Sequence, residues 1–196
     1  MLKLIILSLR QTLLWTVVTG LAYPLIVTVL AQLAFKDQAN GSLVQRDGKV
    51  VGSVWMAQQF QGSNYFWPRP SACTYGSGAS GLVASGASNL GPTSGQLQTN
   101  AMNNAAAFIS GNNLPTNTAV PADMVYASGS GLDPEISPDA AELQIKRVAA
   151  SRGLNPDQVR GLVSHFTKPP QLGFLGQPRV NVLLLNLALD NTAAKK

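Results

Sequence analysis

The sequence predicts an α+β fold: one N-terminal transmembrane helix followed by a mixed domain of helices and small sheets. Two observations carry this. Residues 11–35 form a run of 25 without a charge. From residue 36 onward, helix-start signals and apolar positions at helical spacing alternate with short β-rich runs, and no single repeat takes over. With 45% hydrophobic residues in 196, the chain can fill one core. Its single cysteine, Cys73, excludes a disulfide scaffold.

At about 1.5 Å per residue, span 11–35 makes a helix of roughly 37 Å, enough to cross a hydrocarbon core of about 30 Å with some tilt. A cleaved signal peptide is the competing reading, because Lys3 and Arg10 resemble a basic leader and Val29-Leu30-Ala31 a cleavage site. A signal's apolar region is only about 7–15 residues long, so the span is expected to persist. Thr12, Thr16 and Gly20 recur every fourth residue and give one face small enough for a neighbouring helix to approach. Pro24 has no N–H and is expected to kink the helix.

Lys3, Arg10 and the terminal amine face Lys36, Arg46 and Lys49 across the span, a near balance. A short basic N-terminus before a first helix stays inside, whereas long domains cross with little regard to charge. Residues 1–10 are therefore expected in the cytoplasm, 11–35 across the membrane, and 36–196 outside as an extracytoplasmic domain. The net charge of +5 and pI near 9.6 raise the question of nucleic acid. Part of that charge is Lys3 and Arg10, and the rest is dispersed without a basic stripe, which argues against a nucleic-acid partner.

The exported part opens on a hairpin, with β-prone residues 42–46 and 49–55 flanking the turn dipeptide Asp47-Gly48. Loop chemistry dominates residues 62–93. Leu97, Ala101, Ala105, Phe108 and Ile109 then recur at helical spacing and place a helix at 94–110. Ser137-Pro138 starts a second helix with Ala141, Ile145, Val148 and Ala149 on one face, and Gly153 stops it. Asn155-Pro156 starts a third, with Val159, Leu162, Val163 and Phe166 inward until Pro169-Pro170. Residues 180–185 read as a buried strand, and 187–190 as a helical turn.

Catalytic constellations are sparse, and no catalytic centre or metal site is expected. The only histidine, His165, sits late in a predicted helix. No serine occupies a G-x-S-x-G elbow, and Gly48-Lys49 belongs to a hairpin turn, not a P-loop. Asp133, Glu135, Asp139 and Glu142 can draw cations, but their spacing lacks a calcium-loop pattern, and helix N-termini favour acids anyway. Ser-Gly runs at 85–89 and 128–131 suit tight turns better than an anion cradle. Residues 70–122 hold no charged residue or histidine but are rich in Ser, Gly, Asn and Thr, as a surface packed against partners would be.

An ordered series of motifs resembles the KdpC family, an accessory component of the bacterial high-affinity potassium-transporting ATPase, over nearly the whole chain. It includes Gly20-Leu21-Ala22-Tyr23-Pro24, Asn40-Gly41-Ser42-Leu43, Arg69-Pro70-Ser71-Ala72, Ser85-Gly86-Ala87-Ser88-Asn89, Leu132-Asp133-Pro134-Glu135 and Gln144-Ile145-Lys146-Arg147-Val148-Ala149. Gly129 and Tyr126 depart from the family's usual alanine and threonine.

The resemblance implies a single-span accessory subunit of a P-type ATPase complex for K⁺ uptake. Its partners would be the P-type ATPase subunit, a channel-like K⁺-conducting subunit, a small membrane subunit and the lipid bilayer. It further implies a catalytic chaperone that raises the ATPase subunit's ATP affinity. ATP would be bound mainly by that partner, and K⁺ would be cargo. By its matching motif, Gln144 is the nucleotide-affinity candidate, set against an ordinary helix-surface glutamine. Two other classes stay open: a free-standing tethered module using Tyr65-Phe66-Trp67 on an external ligand, and a tethered hydrolase using His165.

Overall fold

The computed structural model describes residues 1–73 and 84–193. Residues 74–83 of the loop expected at 62–93 lie outside the described residues, as does part of the uncharged stretch 70–122. The chain divides into two compact units, Met1–Val51 and Gly52–Lys196.

The first unit is dominated by one continuous helical run, Leu2–Ala34, 33 residues with mean hydropathy 2.0 in its most apolar window and no buried residue. It is longer than the uncharged run because Leu2 to Leu9 are good helix formers without a breaker, so Lys3 and Arg10 are helical too. It comprises α1 (Leu2–Val17), a wide π-turn (Val18–Ala22) and α2 (Tyr23–Ala34). The Tyr23 N–H donates to the Val18 carbonyl five residues back, and Pro24 has no N–H to offer. The wide turn thus sits where the sequence expects a kink. A short α3 (Lys36–Ala39) follows, for which the sequence carries no start signal. Strands β1 (Leu43–Arg46) and β2 (Lys49–Ser53) form the expected hairpin, with Asp47 at φ 51° and Gly48 at φ 73°. Two consecutive positive φ angles define a tight turn that glycine and aspartate tolerate.

The larger unit follows the predicted helix starts closely. Helix α4 (Gly95–Gly111) has Ser94 at its N-cap, and α5 (Ala122–Val125) adds an unforeseen turn. Ser137 accepts a hydrogen bond from the Ala140 N–H and caps α6 (Pro138–Arg152), which ends at Gly153 with φ 62°. Asn155 and Gln158 form a capping box on α7 (Pro156–Phe166). A three-stranded antiparallel sheet has β5 (Arg179–Asn181) between β3 (Glu135–Ile136) and β4 (Thr167–Lys168), with Ile136 and Thr167 both opposite Val180.

The expected strand 180–185 is corrected. Only three residues are extended, and α8 (Val182–Ala193) begins inside the apolar run. Asn181 makes the switch: its Oδ1 accepts from the Leu184 N–H at 3.0 Å, and its Nδ2 donates to the Val54 carbonyl at 2.8 Å. An unbroken apolar run has no periodicity of its own, so the capping side chain decides. Ile136, Ile145, Val148, Val159, Val180, Leu185 and Leu189 form the core where α6, α7 and α8 meet the sheet. Each such buried aliphatic contributes about 1.5–3 kcal/mol relative to exposure.

Candidate functional site

Within the span, Thr16 Cγ2 is the nearest atom to where a Gly20 Cβ would sit, 4.0 Å away, which places these two on one face. The hydroxyls of Ser8, Thr19 and Thr28 donate to the carbonyls of Leu4, Trp15 and Pro24. Thr12 lies one turn before Thr16, and Pro24 one turn beyond Gly20. Small side chains and a proline-interrupted helix give this stripe a backbone that another helix can approach.

The acids do not converge. Arg69 Nη1 donates to Asp133 at 2.6 Å, and Arg179 pairs with Glu135 at 3.0 Å. Arg160 is shared between Glu142 at 2.9 Å and Asp157 at 2.6 Å, and these two hold its guanidinium above its ordinary pKa, the Glu142 hydrogen bond foremost. Asp139 has no arginine partner among the described residues and lines a shallow apolar pocket with Glu142. Asp123 accepts from the Ser137 N–H at 2.7 Å and its hydroxyl at 3.1 Å, and so braces the start of α6. Three of the four candidate acids thus pair with an arginine, Glu142 with one that it shares. His165 lies in the last turn of α7 with its ring edge-on to Phe166, and it has no acid or serine partner among the described residues.

Gln144 is not on the surface. It is fully buried on α6, where its Oε1 accepts from the Trp67 N–H at 2.8 Å and from Arg147 Nη2 at 2.9 Å. Its Nε2 donates to the carbonyls of Ala140 at 3.2 Å and Trp67 at 3.4 Å. One turn on, Arg147 donates to the carbonyls of Ser63 at 2.6 Å and Tyr65 at 2.9 Å, and to Asn112 Oδ1 at 2.8 Å. Its guanidinium stacks on Trp67, 4.1 Å from the ring centroid. Burial lowers the Arg147 pKa to about 10, still far enough above neutrality to keep it charged. From α8, Asn186 brackets Phe66, accepting from its N–H at 2.8 Å and donating to its carbonyl at 2.9 Å. Tyr65 donates its hydroxyl to Asp190, which also takes an ion pair from Arg152.

The loop Tyr65-Phe66-Trp67 is therefore held by buried polar side chains from two helices, and Phe66 is wholly inside. Asn112, Arg147, Arg152 and Asn186 escaped the sequence reading. The available signal was a polar residue on an otherwise apolar helix face, as with Asn186 inside Leu183 to Leu189. Replacing Gln144 by Leu strands the Trp67 N–H and one Arg147 donor. It should lower unfolding stability by about 2 kcal/mol in urea titration of the detergent-solubilised chain.

These features define a chain with one N-terminal helix long and apolar enough to cross a membrane and an α+β domain that carries a rigidly tied aromatic loop, with no metal-holding group of side chains among the described residues. The comparisons give that class a family. Residues 5–191 match the KdpC profile, described as "K+-transporting ATPase, c chain". The chain is 54% identical to the potassium-transporting ATPase KdpC subunit of Rhodospirillum rubrum, over 89% of each chain. It is 50% identical to those of Mycobacterium tuberculosis and Methylococcus capsulatus, in each case over 93% of this chain and 95% of the relative. The chain belongs to the KdpC family, a non-catalytic component of the Kdp potassium-transporting ATPase.

Proposed function

We propose that the chain holds the Kdp complex together from outside the cytoplasm, with residues 1–10 inside, and caps the K⁺ entrance of the channel-like subunit. The observation that carries this reading is family membership across residues 5–191, which takes in both the apolar span and the tightly bonded domain. The stripe of Thr12, Thr16, Gly20 and Pro24 would seat the span against a partner helix. Arg160 serves both Glu142 and Asp157, while Asp139 has no arginine among the described residues, so that rim keeps an excess of acid. It is the part of the acidic group best able to gather K⁺. Asp133 and Glu135 serve the fold through Arg69 and Arg179.

The chaperone activity on ATP affinity then acts at a distance. A domain outside the cytoplasm cannot touch cytoplasmic ATP, so the effect passes through the membrane helices to the P-type ATPase subunit. Such coupling is reciprocal and about 1–3 kcal/mol. Gln144 enters by holding the Trp67 loop, since its amide is already taken up inside the domain.

Deleting residues 36–196 while keeping the span should abolish K⁺ uptake at low external K⁺. Unchanged uptake with intact assembly would overturn the reading. Topology has its own check. Cys73 is half-buried with its Sγ 3.0 Å from the Gly86 carbonyl, so exposed Ser151 is the better reporter. Ser151→Cys in a Cys73→Ala background should react with a membrane-impermeant maleimide in intact cells. Labelling confined to inverted vesicles would place the domain in the cytoplasm.

A further inference from the structure

Residues 169–178 connect β4 to β5 as an excursion whose residues 171–178 are all exposed. Its base is closed by the pairing of Thr167 and Lys168 with Val180 and Arg179. Its tip is closed a second time by Gln171 and Leu175, whose N–H groups each donate to the other's carbonyl at 2.9 Å. The Gly173 N–H donates to the Pro170 carbonyl and the Phe174 N–H to the Gln171 carbonyl, so the turn is held by its own backbone. Leu172 and Phe174 are 83% and 75% exposed, the two most exposed large apolar side chains of the larger unit among the described residues. Leu172 also takes φ 54°, a left-handed angle that a bulky L residue rarely adopts. The turn is ordered and strained, yet it presents its apolar side chains outward.

Size and chemistry decide what meets this tip. Leu172, Phe174 and Leu175 together offer on the order of 400 Å² of apolar surface, well short of the roughly 1,000 Å² that a specific protein interface needs. Residues 172–176 are Leu, Gly, Phe, Leu and Gly, so no side chain there can hydrogen-bond. A protein partner ordinarily exchanges about one hydrogen bond per 100–200 Å², whereas the boundary between lipid headgroups and acyl chains asks for none. Charge points in the same direction. From residue 158 to residue 189 the chain has no acid. Arg160 and Arg179 pair with Glu142 and Glu135, while exposed Lys168, at the base of the excursion, has no ion pair among the described residues. An apolar tip with an unpaired cation behind it suits an anionic lipid surface, where the ammonium meets phosphate while the tip sinks.

We propose that the turn Leu172-Gly173-Phe174-Leu175 dips into the interface of an anionic bilayer, with Lys168 on the headgroups. Insertion is shallow, because a turn, unlike a helix or a closed barrel, leaves backbone polar groups that hydrocarbon cannot satisfy. A tip this small would hold a free domain only transiently, and stable attachment takes two signals. The second signal is the Leu2–Ala34 helix of the same chain, which makes insertion of the tip an intramolecular step. The inference therefore rests on the membrane reading of that helix in the proposed function, and not on capping of the K⁺ entrance.

The test uses the full chain, in a Cys73→Ala background, in liposomes of phosphatidylcholine and phosphatidylglycerol. A nitrobenzoxadiazole label on Leu175→Cys leaves Leu172 and Phe174 in place, and labels on Val27→Cys in α2 and on Ser151→Cys in α6 serve as references. Lipids with a doxyl group near the headgroup should quench the label at position 175 strongly, lipids with a deep doxyl group should quench it less, and neither should quench the label at position 151. Replacing Leu172 and Phe174 by serine should abolish the quenching at position 175 with an unchanged thermal midpoint, since both side chains are exposed. Lys168→Gln should lower the ratio of inserted to free tip about fivefold at low salt. A label at position 175 that stays unquenched while the label at position 27 is quenched overturns the proposal alone. If the label at position 27 is also unquenched, the membrane reading falls with it. In the purified complex, a label at position 175 that is blue-shifted yet unquenched by either doxyl lipid shows a protein partner at the tip and likewise overturns the proposal.

Discussion

Arg147→Met should cost the domain about 3–5 kcal/mol of unfolding stability, read from the urea midpoint at unchanged slope. Methionine can fill much of the space along the side-chain stem, so the loss is polar. The carbonyls of Ser63 and Tyr65, Asn112 Oδ1 and half of the Gln144 Oε1 capacity lose a charged donor at once; the bonds to Asn112 and Gln144 are buried and those to Ser63 and Tyr65 part-buried, so water replaces the donor only in part. Hydrogen bonds to a charged group are worth about 1.5–3 kcal/mol each, and a stranded acceptor costs its desolvation besides. The sum exceeds the expected figure because the loop can relax towards solvent and recover some hydration. Arg147→Lys should recover little, since one ammonium cannot reach acceptors that a planar fork spans. Near-native stability in both variants would mean that the loop does not depend on α6.

The same network shows what is legible in the sequence. Helix starts are readable because they are local: Ser94, Ser137 and Asn155 each cap with their own side chain. The Asp47-Gly48 turn is equally local. The end of β5 is not readable, because Val182 to Leu185 suit either state and the choice depends on Asn181 reaching both Leu184 and Val54, the latter 127 residues away. The core face of α6 is legible in Ala141, Ile145, Val148 and Ala149. Gln144 and Arg147 escape because a polar residue on a helix ordinarily faces solvent, and these two do not. Their partners at positions 62–67 lie roughly 80 residues back, and no spacing rule connects them. The acids mislead in the opposite sense, looking like a cluster in sequence while Arg69 and Arg179 claim Asp133 and Glu135 from distant segments.

Gly111→Val should destabilise the domain by about 3 kcal/mol, through Trp67 and not through helix propensity. Gly and Val differ by only a few tenths of a kcal/mol in a helix, so the backbone term nearly cancels. A Cβ at Gly111, however, would press into the Trp67 ring, with Cζ3 only 2.7 Å away. The ring has little room to retreat. Arg147 stacks on it, its Nε1–H donates to the Gly62 carbonyl at 3.0 Å, and its own N–H and carbonyl are both held by Gln144. Strain introduced on α4 is therefore felt on α6, and the two substitutions should not be independent. In the Arg147→Met background the ring is freer to move, so adding Gly111→Val should cost less than it does alone, by about 1 kcal/mol or more in a double-mutant cycle. Strict additivity would show that Trp67 does not link the two helices.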